Sequence, residues 1–130
     1  MERREGIDAP NEEAMAAFAG RAAEGPVYML NLLEFLPDGG AERYAEYGVA
    51  VAPLLERAGG KAVFAGQPAE SLIGEGSWDV MLLVSYPTRQ AFLDMVSSPE
   101  YQEIEHLRSE ALRRSELRAM DAIDASQLPG

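Results

Sequence analysis

The chain has 130 residues, 47% of them hydrophobic and 25% charged, which describes one globular domain able to bury a core without staples. A net charge of −11 argues against nucleic acid, whose phosphates call for a basic face, and against anionic membrane surfaces. With no cysteine, the chain has no disulfide, thiolate metal site or cysteine nucleophile.

Residues 1–9 are polar and expected to be loose. Arg3 and Arg4 are not followed by the apolar stretch of a signal peptide, and no run approaches the ~20 apolar residues of a membrane span, so a cytoplasmic setting is the default expectation. Asp8-Ala9-Pro10-Asn11 is a helix-start signal, and Glu12 and Glu13 suit the positive end of the dipole. Ala14, Met15, Phe18 and Ala22 recur at helical spacing before Gly25-Pro26, predicting an N-terminal helix over 10–24.

Val27 to Phe35 is a strand-length apolar run, and Pro37-Asp38-Gly39-Gly40 is a turn. Tyr44, Tyr47, Val51, Leu54, Leu55 and Ala58 then predict an amphipathic helix over 41–58, closed by Gly59-Gly60 and open to a bend at Gly48 or Pro53. Lys61 to Gly66 is a short strand. Residues 67–77 form a long connection with a brief strand expected at Leu72-Ile73, and Trp78 to Tyr86 is a second apolar strand. Thr88 is an N-cap for a helix bearing Ala91, Phe92, Met95 and Val96. Ser98-Pro99 breaks that helix and restarts it, and Tyr101, Ile104, Leu107, Ala111 and Leu112 continue the stripe. Leu117 to Ile123 alternates weakly as a last strand, and 125–130 is a tail.

This order is a helix followed by two β-α-β halves, a split pattern that gives a ferredoxin-like antiparallel sheet with its helices on one face. The single domain spans 10–124. Both central strands carry large apolar side chains at odd and even positions, so both faces of the sheet leave water. The helices cover only one of them. An apolar patch of that size is rare on a soluble monomer, and a homodimer through the sheet face is expected.

Pro26-Val27-Tyr28-Met29-Leu30-Asn31-Leu32-Leu33, Glu56-Arg57-Ala58-Gly59-Gly60, Trp78-Asp79 leading into Tyr86-Pro87, and Ser98-Pro99-Glu100-Tyr101 with His106 and Arg108 resemble a small bacterial family of unassigned function in the dimeric α+β barrel superfamily. The resemblance covers about Pro10 to Ile123. It implies an α+β, ferredoxin-like β-α-β-β-α-β sheet packed face to face as a dimer, with a cavity often lying between sheet and helices. Superfamily members include cofactor-independent enzymes, haem proteins and proteins with no known activity. A haem site here would rest on one histidine alone, and no cofactor is expected.

Three polar residues are candidates for chemistry. His106, the single histidine, is the residue type suited to a general acid or base, or else sits on the rim. Asn31 is the one strongly polar residue inside an apolar strand; it either aims a donor into a cavity or bonds a neighbouring loop. Asp79 could act as a base, pair with an arginine or cap a turn. Tyr44, Tyr47, Tyr86 and Tyr101 lie near the helix–sheet seam and, with Arg108, are pocket candidates, although tyrosines at helical spacing more often belong to a core. Ten of the eleven basic residues are arginine, and several fall between Arg89 and Arg118, which leaves room for a local patch suited to a small anion. One histidine and scattered carboxylates make no metal set, and no phosphate loop or nucleophile elbow is present.

Three functions remain open. The first is a cofactor-independent enzyme transferring a proton, isomerising or oxygenating a small partly apolar molecule. The second is a non-catalytic dimeric module binding a small ligand or a partner. The third is a purely structural dimer with a filled interior.

Overall fold

The computed structural model describes residues 9–128. The expected loose N-terminus, apart from residue 9, and the last two tail residues lie outside that range. In chain order the elements are α1 (Glu12–Ala19), β1 (Val27–Phe35), α2 (Gly40–Arg57), β2 (Lys61–Gly66), β3 (Val80–Tyr86), α3 (Arg89–Ser97), α4 (Pro99–Ser109) and β4 (Leu112–Met120), then a 3-10 turn at Ala125–Gln127. The strands form one antiparallel sheet in the order β2-β3-β1-β4, so the two apolar runs are its central strands.

Alternation along β1 sorts its side chains by face. Val27, Met29 and Leu33 are buried, while Tyr28, Leu30 and Leu32 are half-buried. Val27 and Met29 join Val84 and Tyr86 of β3 in a core completed by Tyr47, Leu54, Met95 and Tyr101 from the helices. Leu33 packs on Ala111 and Leu112, with Phe35, Tyr44 and Val80 around them. On the opposite face, Tyr28, Leu30, Leu32, Met81 and Leu83 have no described helix over them.

Local chemistry explains the boundaries. Asn11 caps α1 by accepting from the Ala14 N–H at 2.9 Å, and Phe18 meets Phe92 edge-on at 5.7 Å, which docks α1 on α3. The helix ends at Ala19, short of the predicted 24. The carbonyls of Ala22 and Glu24 instead accept the Gln90 and Arg89 N–H groups at the start of α3. Gly25, which follows Glu24, lies so close to Pro87 that any side chain there would strike the Pro87 carbonyl. Helix α2 begins after Gly39, whose φ of 81° favours glycine, and runs unbroken through the exposed Pro53. Ser98 accepts from the Tyr101 N–H at 3.2 Å and divides α3 from α4.

Two further predicted elements differ. The last strand is Leu112–Met120 instead of 117–123, because Ala111 and Leu112 leave the helical stripe to pack beneath Leu33. Leu72-Ile73 forms no strand; both side chains stand out of the loop, 91% and 96% exposed.

Candidate functional site

Asn31 sits mid-way along β1, between Leu82 of β3 and Leu117 of β4, on the face that the helices cover. Its amide is weakly answered. Nδ2 donates to the Met29 and Leu82 carbonyls at 3.4 and 3.5 Å, and Oδ1 accepts from Arg108 Nη2 at 3.4 Å. All three lie at the long end of hydrogen-bonding range.

Arg108 reaches Asn31 from the last turn of α4. Its guanidinium is half-buried and, among the described residues, has no carboxylate within ion-pair distance. The tyrosines arrive from three elements. Tyr44 and Tyr47, one turn apart on α2, have ring centroids 5.4 Å apart. The Tyr47 hydroxyl shares a 2.9 Å hydrogen bond with that of Tyr101 on α4. Tyr86 at the end of β3 meets Phe92 edge-on at 5.2 Å.

Burial pushes the phenols of Tyr44, Tyr47 and Tyr86 above their ordinary value, while the Arg108 cation pulls each of them back down. All three are therefore neutral donors at physiological pH. A guanidinium, a primary amide and neutral phenols form a donor-rich set that can hold a negative charge but cannot accept a proton from a carbon acid.

The seam opens at one edge. Ser115, Leu117 and Ala119 of β4 pair with Leu33, Asn31 and Met29 and share their face. Leu33 and Met29 are buried, yet Leu117 is 47% exposed and Ala119 is exposed too. The helix layer thus stops short of β4 beside Asn31.

The structure brings Asn31, Arg108, Tyr44, Tyr47, Tyr86 and Tyr101 into one neighbourhood and leaves two sequence candidates outside it. His106 is exposed on α4, about 200° round the helix from Arg108. Asp79 lies three positions beyond Leu82, about 10 Å along the strand from the level of Asn31. Its Oδ2 accepts the Phe35 N–H and its own N–H donates to the Leu33 carbonyl, both at 2.8 Å, clasping the ends of β1 and β3.

Two polar clusters escape sequence reasoning. Arg114 stacks 3.8 Å over the Trp78 ring and donates to Glu34 Oε1 at 3.2 Å and to the Ser77 carbonyl at 2.7 Å, which pins the base of the 67–79 loop. Arg89 is only 3% exposed. Its Nη2 bonds Asp121 Oδ1 at 3.0 Å, its Nε and Nη1 have no hydrogen-bond partner, and its guanidinium carbon lies 5.3 Å from the centre of the Phe18 ring. Arg21 shares the same Asp121 oxygen at 3.0 Å. An arginine after a helix cap ordinarily faces water, so the pattern carried no sign of this burial.

A depression of about 450 Å³ lies apart from the seam, under the 68–78 loop, and none of the six clustered residues lines it. Among the described residues no group of three His, Cys, Asp or Glu could hold a metal ion, and no helix is long and apolar enough to cross a membrane.

The family model described as a domain of unknown function, DUF1330, matches residues 36–122. A protein of unknown function from Rhodopseudomonas palustris, RPA0582, is 38% identical, with a TM-score of 0.82 over 91% of this chain and 97% of that one. A dimeric ferredoxin-like protein of unknown function from Jannaschia is 14% identical, with a TM-score of 0.62 over 75% of this chain and 100% of that one. A dimeric protein of unknown function and ferredoxin-like fold from Bacteroides fragilis is 11% identical, with a TM-score of 0.54 over 77% and 99%. The last two bear on the fold alone. The search of curated proteins returns no match.

Proposed function

Since the chain belongs to the DUF1330 family and has its ferredoxin-like fold, we propose that it works as a homodimer binding a small, partly apolar molecule in the helix–sheet seam beside Asn31. One observation carries the ligand reading. A half-buried amide and guanidinium, held to each other by a single long bond, lie at an edge where Leu117 is uncovered. A filled structural interior would satisfy such groups or exclude them. Binding is favoured over catalysis because the cluster has donors and no base: His106 faces solvent, and Asp79 is engaged by the Phe35 N–H.

The homodimer rests on the row of Tyr28, Leu30, Leu32, Met81 and Leu83 across the uncovered sheet face, and on the dimeric neighbours of the same fold. Light scattering at micromolar concentration is expected to give twice the chain mass, and Leu30→Asp to give the monomer mass. A monomeric wild type overturns the dimer.

The ligand reading is tested by titrating a fragment library against labelled protein by NMR. Partly apolar fragments are expected to shift the amide signals of Asn31, Arg108 and Leu117, and Asn31→Leu to abolish the shifts. Signals that move only under the 68–78 loop, or nowhere, overturn it. Turnover of a bound carbon acid that disappears in His106→Ala would replace binding with proton-transfer catalysis.

A further inference from the structure

We propose that the molecule bound in the seam is a carboxylate, with its anionic group on the Arg108 guanidinium and its apolar body against Tyr44 and Leu117. This rests on the binding reading above and adds the chemical class. The chain has 22 acidic residues against 11 basic ones. In such a background an arginine finds a carboxylate easily, and Arg21, Arg43, Arg89, Arg114 and Arg118 each have one within 4.0 Å. Arg108 has none among the described residues, although it is half-buried, where an unanswered cation costs more than it does at the surface. It meets instead the Asn31 carbonyl oxygen at 3.4 Å and neutral phenols that it cannot ionise.

The surrounding groups narrow the anion. A planar guanidinium presents two parallel N–H bonds, the geometry that a carboxylate accepts. Asn31 Nδ2, now spent on bonds of 3.4 and 3.5 Å, is a third donor. A phosphate dianion fits poorly. Arg108 stands in the last turn of α4, at the negative end of that helix, and the other basic residue of that turn, His106, is exposed about 200° round the helix. The body of the ligand is set by its walls. Phe35 and Tyr44 lie ring to ring at 5.6 Å, and Leu117, the β4 partner of Asn31, is uncovered. An aryl or short alkyl chain matches those walls.

The test uses the full chain and two matched pairs of probes, benzoate with benzamide and hexanoate with hexanamide, titrated by NMR. The acids are expected to shift the Asn31, Arg108 and Leu117 signals with at least about ten-fold tighter binding than their amides, and the gap is expected to narrow in about 0.5 M salt. Arg108→Met should erase the discrimination and Arg108→Lys should retain part of it. If the amides bind as tightly as the acids, or Arg108→Met still prefers the acids, the carboxylate assignment falls and the binding site stands. If neither member of a pair shifts the seam, both fall. Should Arg108→Met fail to fold, the acid–amide gap of the wild type and its salt dependence decide the matter alone.

Discussion

Arg89 and Arg108 are both withdrawn from water, and they are withdrawn for opposite ends. Arg89 is sealed against Phe18 and tied to Asp121, so its charge links α1, α3 and the segment after β4. Arg108 is held by a long bond to an amide, has no counter-ion among the described residues, and stands where the helix layer leaves β4 uncovered. A buried cation that has its carboxylate and its aromatic lid is consumed by the fold. A half-buried cation without either is available to something else. The contrast separates architecture from a site without appeal to sequence position, and each end of it can be attacked.

The largest effect is expected at Arg89. Arg89→Ala removes a long stem packed under Phe18 and leaves a void, at a cost of about 2–4 kcal/mol. Arg89→Met keeps the volume and also removes the two donors, Nε and Nη1, that find no partner. Its stability should fall within about 1 kcal/mol of wild type. Urea unfolding midpoints measure both. If Arg89→Met proves as damaging as Arg89→Ala, the charge and not the packing is what the fold uses there.

The architecture is legible in the chain because it is written in period and punctuation. Val27 to Phe35 and the strand ending at Tyr86 are long apolar runs stopped near prolines, and Ser98-Pro99 names its own helix break. The beginning of β4 was hidden. Ala111 and Leu112 fall at helical spacing after Leu107 and Ile104, and only their packing on Leu33 takes them out of the helix and starts the strand at Leu112. The site was half legible. Asn31 announces itself as a polar residue in an apolar run, and the tyrosines lie at helical spacing. The lack of a counter-ion for Arg108 and the burial of Arg89 are relations between distant segments, which spacing does not encode.

Acid should act on the Arg89 end alone. Hydrogen bonds from Arg89 and then Arg21 hold the Asp121 carboxyl below its ordinary value of 3.8. A carboxyl depressed on folding contributes fully above its unfolded value, and the contribution is lost as pH falls through the folded one. The wild type should therefore lose more of its urea midpoint between about pH 6 and about pH 3 than Asp121→Asn does. Because Asp121 is exposed, added salt should shrink the difference. Equal losses in the two proteins would mean that the two arginines do not depend on this carboxylate.

Alkali acts on the seam end. Phenols raised on folding contribute stability below about pH 10, and it is lost as pH climbs toward their folded values. Tyrosinate absorbance from Tyr44, Tyr47 and Tyr86 should thus appear together with unfolding. The Tyr47–Tyr101 hydrogen bond is worth about 1 kcal/mol, to be read as the coupling in a double-mutant cycle of Tyr47→Phe and Tyr101→Phe. Strict additivity would show that the pair is packed together and not bonded.

The smallest expected change bears hardest on the contrast. Arg108→Met keeps the stem, removes no ion pair among the described residues, and gives up the 3.4 Å bond to Asn31 and a hydrogen bond to the Tyr44 hydroxyl. Stability should therefore move by no more than about 0.5 kcal/mol. The neighbouring tyrosines should respond, since the Arg108 cation opposes their rise: with it gone, the alkaline transition shifts upward. A loss of several kcal/mol would place Arg108 beside Arg89 as part of the architecture, and the charge in the seam would no longer be free to meet a ligand.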